Sequence, residues 1–261
     1  MRVATFNVNG AASSATEIAR LANSCDIVCL QEIKTARPIV VPGFETFWTP
    51  APYASNHHGT AILARSEFNP KRLDVQLENS LDLDDNGRRG HFSEGRITAI
   101  SLSINCRTLN VLSVYSPNSG VDRREPLKRL GYRTNQWDRD LGRLVQTLIA
   151  DTVPLLLFGD LNVAVDDNDV HNSKTLSRKA GFTPQERASF RRHLLAHLTD
   201  SMPADMNPRF TFFGPFQKAV NRGWRLDYQL YSSALIVRGI RILYDYDSSD
   251  HVPVYAEYDF N

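Results

Sequence analysis

Glu32 closes the apolar run Asp26-Ile27-Val28-Cys29-Leu30-Gln31. A carboxylate there is placed by a rigid strand yet emerges at its mouth. That position suits a Mg²⁺ ligand, because hard cations take carboxylate oxygens and keep several waters; a solvated strand-end charge fits it too. Asp160 and Asn162 follow residues 153–158, a run apolar enough for a fully buried strand, and Gly159 would permit a sharp exit. An ordinary Asx turn is the competing account. Asp250-His251 stands just before Val252-Pro253-Val254. An imidazole there could accept a proton from water or stabilise charge developing on phosphorus, given a carboxylate to fix its tautomer. Asp227 is a candidate for that carboxylate, which leaves Asp250 for metal; a capped turn is the plainer reading. Asn7 offers an amide to a phosphate oxygen or to Glu32, or forms a turn ahead of Gly10.

The elements that must position these groups follow from hydrophobic patterning. Strand-like runs rich in Val, Ile, Leu, Thr and Tyr occur at 2–8, 27–31, 60–64, 96–104, 108–115, 153–158, 226–231, 237–244 and 252–258. The runs 96–104 and 108–115, joined through Asn105-Cys106-Arg107, predict a hairpin. Helical spacing marks 16–23 and 135–150, the latter with Trp137, Leu141, Leu144, Val145, Leu148 and Ile149 on one face. A third helix is announced by Thr183-Pro184-Gln185-Glu186, a capping box with proline at the first helical position, and its apolar face is Phe190, Leu194, Leu195 and Leu198. The strands fall into two sets separated by the helical middle. This predicts two packed sheets with helices outside, in one α/β domain over residues 1–261.

Composition narrows the class. The 30 Lys and Arg nearly balance 29 Asp and Glu, for a net charge of +1, so any polyanion partner must be met by local clusters. Cys25, Cys29 and Cys106 have no zinc-like spacing; Cys25 and Cys29 sit among apolar residues as buried free thiols, as in a reducing compartment. No leader pattern and no run of about 20 apolar residues is visible, so a soluble intracellular protein is expected.

Taken in order, Phe6-Asn7-Val8-Asn9-Gly10, Leu30-Gln31-Glu32-Ile33-Lys34, Gly159-Asp160-Leu161-Asn162-Val163, Gly223-Trp224-Arg225-Leu226-Asp227-Tyr228 and Ser249-Asp250-His251-Val252-Pro253 resemble the exonuclease III family of apurinic/apyrimidinic endonucleases. Ser93-Glu94-Gly95-Arg96, Tyr115-Ser116-Pro117-Asn118 and 180–187 add to the likeness, which spans essentially the whole chain. The wider superfamily includes DNase I-like nucleases, lipid phosphatases and sphingomyelinases; the Gly-Trp-Arg-Leu-Asp-Tyr segment points to the DNA-repair branch. The resemblance implies a four-layer α/β sandwich of two packed mixed sheets flanked by helices. It implies Mg²⁺, with Mn²⁺ as substitute, and hydrolysis of the phosphodiester 5′ to an abasic site to leave a 3′-hydroxyl and a 5′-deoxyribose phosphate. Some 3′-phosphodiesterase, 3′-phosphatase or 3′→5′ exonuclease activity is expected beside it, and a 3′-end-processing enzyme with weak abasic-site activity is the alternative.

By the same resemblance Glu32, Asp250 and Asn7 belong to the metal site. His251, oriented by Asp227, is general base or phosphate stabiliser. Asp160 handles the attacking water or the leaving group, Asn162 positions the phosphate, and Tyr115 reaches it through its hydroxyl with Asn118 supporting that edge. Phe212, Trp224 and Leu226 match an apolar pocket for the flipped-out abasic sugar, although ordinary core also accounts for them. Backbone contacts to double-stranded DNA are expected from Arg96, His57, Arg129 and Arg222. Two segments supply clustered charge: Arg209, Lys218, Arg222 and Arg225 interleaved with aromatics, and Arg123, Arg124, Lys128, Arg129, Arg133, Arg139 and Arg143. The partner expected is DNA carrying abasic or 3′-blocked lesions, bound by a monomer and without a membrane. Three departures stand out. Ala11-Ala12-Ser13-Ser14 replaces the usual Leu-Arg and its basic followers, Asn56-His57-His58-Gly59 stands where Tyr-Ser-Gly is usual, and the loop after Asn118 is longer and more charged.

Overall fold

A computed structural model describes residues 1–51, 58–75, 77, 95–120, 126–150 and 152–261. His57, Ser93, Glu94, Arg123 and Arg124 lie outside the described residues. The first layer is a six-stranded mixed sheet. Its members are β1 (Arg2–Asn7), β2 (Ile27–Gln31), β3 (Phe44–Thr49) and β4 (Thr60–Arg65), with α1 (Ala15–Ser24) between β1 and β2. The second sheet takes β5 (Lys71–Arg72), β6 (Ile97–Ile104), β7 (Arg107–Tyr115), β8 (Leu155–Asp160), β9 (Thr199–Asp200) and β10 (Asp227–Tyr231). Between β7 and β8 run α2 (Pro126–Tyr132), a wide π-type turn over Arg133–Trp137, and α3 (Asp138–Ala150). Between β8 and β9 lie α4 (Ser173–Leu176) and α5 (Pro184–Phe190). The chain then returns to the first sheet as β11 (Leu235–Ile242) and β12 (Val254–Phe260).

The sheet orders are β11-β12-β1-β2-β4-β3 and β5-β6-β7-β8-β10-β9. The two sets of strands are therefore not divided at the helical middle, as the sequence pattern suggests. The second sheet draws strands from both sides of it, and the last hairpin crosses back because β12 pairs antiparallel with β1. That return brings the segment before β12, with Asp250 and His251, beside the end of β1.

Strand alternation assigns every residue to a layer. Val3, Ile27, Cys29 and Ile62 of the first sheet meet Ile100, Val111, Leu156 and Phe158 of the second in the central core. The opposite face of the first sheet, with Ala4, Phe6, Val28 and Leu30, packs on Ile18 and Leu21 of α1. The outer face of the second sheet, with Leu112, Val114, Leu155 and Leu157, packs on Trp137, Leu141, Val145 and Leu194. The layers are helix, sheet, sheet, helix, with one apolar filling in each gap.

Local signals explain the boundaries. The β6–β7 turn is a two-residue one, with Asn105 and Cys106 at φ 51° and 61° and Arg107 already paired with Ile104. At α5 Thr183 Oγ1 accepts from Glu186 N and Glu186 Oε2 accepts from Thr183 N, and Pro184 opens the helix. The predicted helix 135–150 starts earlier, in α2, because Arg133 is buried by the fold. Its guanidinium donates to Asp138 Oδ1 at 2.8 Å, Pro117 O at 2.9 Å and Leu161 O at 2.7 Å. Gly159 is no exit from β8, which continues through Asp160. It is needed because a Cβ there, at φ 148°, would stand 1.9 Å from Val114 O. Cys25 and Cys29 are buried free thiols, and no helix among the described residues is long and apolar enough to cross a membrane.

Candidate active site

The inter-sheet layer is apolar along most of its length and turns polar at one end. On β1 the residues facing the other sheet run Val3, Thr5, Asn7; on β2, Ile27, Cys29, Gln31; on β7, Val111, Ser113, Tyr115; on β8, Leu156, Phe158, Asp160. β10 enters from the opposite direction, so its inward residues begin with Asp227. Register then aligns them: Tyr115 lies opposite Asp160, Asp160 opposite Asp227, and Asn7 opposite Gln31. Polar strand ends that look scattered in sequence thus converge where two sheets open to one side. Gln31 marks the transition, linking the sheets through Thr5 Oγ1 at 3.1 Å and Ser113 Oγ at 2.9 Å.

Asn7 sits at the centre, fully buried. Its Nδ2 donates to Glu32 Oε1 at 3.0 Å and Asp160 Oδ2 at 2.9 Å, and lies 3.4 Å from His251 Nε2. Its Oδ1 accepts from Asn9 N at 3.1 Å. The structure thus turns the amide hydrogens of Asn7, rather than its oxygen, toward the carboxylates. Asp160 Oδ1 accepts from Asn162 N at 2.9 Å, and Asn162 Nδ2 reaches Ser116 O at 2.9 Å. His251 Nδ1 lies 2.8 Å from Asp227 Oδ2, and its Nε2 lies 3.8 Å from Asp160 Oδ2. Asp227 Oδ1 is buried without a hydrogen-bond partner among the described residues.

A buried carboxyl beside a second carboxylate resists ionisation. Burial pushes Asp160 up to about 7, and the neighbouring Asp227 adds to the rise. Burial alone would discharge His251, but Asp227 and then Asp160 outweigh it and hold the imidazole up to about 10. The two carboxylates thus favour the charged form of the imidazole, whose Nε2 edge faces Asp160 and Asn7. Burial raises the Tyr115 phenol as well, with Glu32 and Asp160 adding to it, so its hydroxyl stays a donor.

Glu32 leaves β2 at φ 52°. The Lys34 ammonium lies 2.8 Å from its Oε2 and also contacts Asn9 Oδ1. Burial would raise Glu32, but Asn7 and Lys34 hold it below its ordinary value. This half-exposed set of one carboxylate and carboxamide oxygen already accepts a positive group. It fits a hard divalent cation that keeps most of its waters. Among the described residues no three His, Cys, Asp or Glu side chains gather in metal-binding geometry, so a cation here would lean on Glu32. Asp250, exposed, accepts from Asn9 Nδ2 at 3.1 Å and is linked to Glu32 through Asn9 and Lys34.

Phe212 and Trp224 form a backbone bridge, with Phe212 N donating to Trp224 O at 2.9 Å, and the Phe212 ring lies 5.0 Å from that of His251. Trp224 meets Phe182 edge-on at 6.3 Å. Leu226 is buried beside them, and its N–H donates to Thr211 Oγ1 at 3.0 Å. Gly223 admits Phe210 and Phe213, which a Cβ would meet at 2.6 and 2.7 Å.

Several expected DNA contacts are turned to other tasks. Arg96 is buried, its guanidinium 5.2 Å from the Tyr115 ring and 3.4 Å from Tyr115 O. Asn118 Oδ1 accepts from Gly120 N at 2.7 Å in a turn. Arg209 and Arg225 are buried against Asp169 and Asp200, at 2.8 and 2.6 Å, and Lys218 is held by Asp247. Arg133 is structural, as above. Arg129 and Arg222 are exposed but outside the cluster. His58 packs its ring 5.5 Å from Tyr115. Sequence reasoning missed Asn9, which joins Asp250 to Lys34, Thr211, which caps both Leu226 N and Asp227 N, and Ser249, which ties His251 N to Asn7 O. Asn9 lay in plain view, two residues after Asn7 in Asn-Val-Asn-Gly.

A family model described as the Endonuclease/Exonuclease/phosphatase family matches residues 4–251. A DNA-(apurinic or apyrimidinic site) endonuclease from Dictyostelium discoideum is 31% identical over 280 residues, covering 100% of this chain and 71% of that one. An exodeoxyribonuclease from Bacillus subtilis is 30% identical over 268 residues, covering 97% and 98%. The crystal structure of an AP endonuclease from Leishmania major superposes with a TM-score of 0.82 at 23% identity, covering 100% of this chain and 87% of that one, which shows the shared fold. The chain belongs to the endonuclease/exonuclease/phosphatase family, as a hydrolase of its AP endonuclease/exodeoxyribonuclease III type.

Proposed function

We propose that this protein hydrolyses the DNA phosphodiester 5′ to an abasic site, leaving a 3′-hydroxyl and a 5′-deoxyribose phosphate. The observation that carries this reading is the aromatic pair beside the His251–Asp227 couple: Phe212 and Trp224 are bridged to each other, the Phe212 ring lies 5.0 Å from that of His251, and Trp224 stands three residues before Asp227. Apolar rings beside the proton-handling groups favour a sugar without a base, and flipping is cheapest where nothing is stacked.

In this reading His251 acts as imidazolium. Asp227 holds Nδ1–H, and Nε2–H donates to a non-bridging phosphate oxygen as charge builds there. The Tyr115 hydroxyl adds a donor on the same side, while Asn7 holds the Glu32 and Asp160 carboxylates in place. Asp160, raised toward neutrality and oriented by Asn7 and Asn162, takes the proton from the attacking water and returns it to the 3′ oxygen as the P–O3′ bond breaks. Glu32, assisted by Asn9 and Asp250, would hold Mg²⁺, which when bound neutralises charge on the phosphoryl and leaving oxygens. Trp224, Phe212 and Leu226 seat the abasic sugar, and exposed Arg129 and Arg222 meet the DNA backbone outside it.

A second reading, removal of blocked or terminal nucleotides from 3′ ends, is favoured by the full-length likeness to the Bacillus exodeoxyribonuclease. A labelled duplex with one internal abasic analogue, compared with a nick bearing a 3′-phosphate, separates the two. Mg²⁺-dependent incision at the abasic site supports the first reading; turnover of the 3′-phosphate alone replaces it with the second.

A further inference from the structure

The segment that delivers Asp250 and His251 is held from behind by α1. Half-buried Glu17, in the first turn of that helix, receives two successive backbone N–H groups: Asp247 N at 2.8 Å to Oε1 and Ser248 N at 3.2 Å to Oε2. The Ser248 hydroxyl donates to the same carboxylate and lies 2.8 Å from Ser14 Oγ, which donates to Val8 O at 2.9 Å. One residue on, Ser249 Oγ donates to Asn7 O at 2.8 Å and accepts from His251 N at 3.2 Å. A continuous line of charge-assisted and neutral hydrogen bonds therefore runs from α1 through 247–249 to the backbone of Asn7 and His251. Glu17 touches none of the reacting groups. The segment 11–14 ends in Ser14, at the start of the helix that presents Glu17.

We propose that Glu17 is a positioning residue: it latches the loop before β12 and so sets the His251 imidazole against Asp227 and Asp160. The proposal rests on His251 acting in hydrolysis, as argued above. A carboxylate closed on two neighbouring N–H groups fixes both the position and the tilt of that turn. A reacting group displaced by about 1 Å can cost on the order of 100-fold in rate. Lys218 braces the same turn from the other side through Asp247 Oδ1 at 2.6 Å and Tyr246 O at 2.7 Å, so loss of Glu17 loosens the loop without releasing it.

The test is a double-mutant cycle on the abasic duplex, read by single-turnover and steady-state kinetics. Glu17→Ala is expected to lower kcat by about 10- to 100-fold with KM within about twofold, and Glu17→Gln, which keeps one accepting oxygen, should fall between. In a His251→Ala background, Glu17→Ala should cost less than about twofold more, because its effect passes through His251. An equal loss in both backgrounds, or an unchanged kcat in a folded Glu17→Gln, overturns the latch. Full turnover by His251→Ala alone would instead overturn the role of His251, and the latch with it. If Glu17→Ala loses its cooperative melt, Glu17→Gln carries the same cycle.

Discussion

Replacing Asp227 by asparagine keeps the shape of the side chain and removes its charge. His251 stands at about 10 instead of 6.5, which corresponds to about 5 kcal/mol in favour of the imidazolium at about 1.4 kcal/mol per unit. Asp227 is the foremost of the groups that raise it, with Oδ2 2.8 Å from Nδ1. A neighbouring opposite charge at this range shifts a titration by about 1–3 units, so Asp227→Asn should lower the His251 midpoint by at least about one unit. Proton NMR titration of the His251 ring, assigned by comparison with His251→Ala, measures this directly. The folded-state value lies above the unfolded one, so the imidazolium adds stability in full below about pH 6.5 and loses it as pH rises through about 10. Urea denaturation should accordingly find the variant weaker at pH 6 and the gap closing by pH 10. Turnover at pH 7.5 should drop by about 10²- to 10⁴-fold. A His251 midpoint that stays within half a unit of the parent would refute the argument that Asp227 sets the charge of the ring.

The rate should fall as pH drops through about 7, because Asp160 is raised to that value and must be ionised to accept a proton; Asp160→Asn should be slow and lack this limb in a pH–kcat profile. Trp224→Ala should raise KM for the abasic duplex by roughly 10-fold, about the worth of one lost aromatic stacking contact, while hydrolysis of a 3′-phosphate nick changes less. Gly159→Ala should cost about 3 kcal/mol or more, or prevent folding, since Val114 O stands 1.9 Å from the added carbon; chemical denaturation or soluble yield reports it. Glu32→Gln should shift the Mg²⁺ concentration for half-maximal rate upward by about 10-fold or more, measured by titrating the metal into a chelated enzyme.

Much of the frame was legible because β1, β2, β4, β8 and most of β6 and β7 are sealed on both faces and read as apolar runs. Three strands were not. β3, Phe-Glu-Thr-Phe-Trp-Thr, is an edge strand left half-exposed, so its composition is mixed. β5 and β9 are two residues each and exist only because β6 and β10 lie beside them. Sheet membership was misjudged because local patterning carries no information on which strand a returning hairpin will join. The chemical residues were legible for a different reason: Asp160, Asp227 and Asn7 interrupt runs that should otherwise stay apolar. Arg96, Arg209 and Arg225 misled because a buried guanidinium with a carboxylate or an aromatic face looks, in sequence, like any surface cation. Glu17 and Thr211 left no signal, since a polar residue in a helix turn or loop is unremarked until its distant partner is known.

Tyr115, Asp160 and Asp227 occupy one row across three hydrogen-bonded strands. A slip of one position in either pairing would send a member of that row to the opposite face of the sheet. The geometry of the reacting groups is therefore set by the same ladder that seals the central core, and it opens only when that core opens. Amide protons at Tyr115 and Asp160 should exchange with solvent at rates close to those of global unfolding, an unusual protection for groups beside a candidate site.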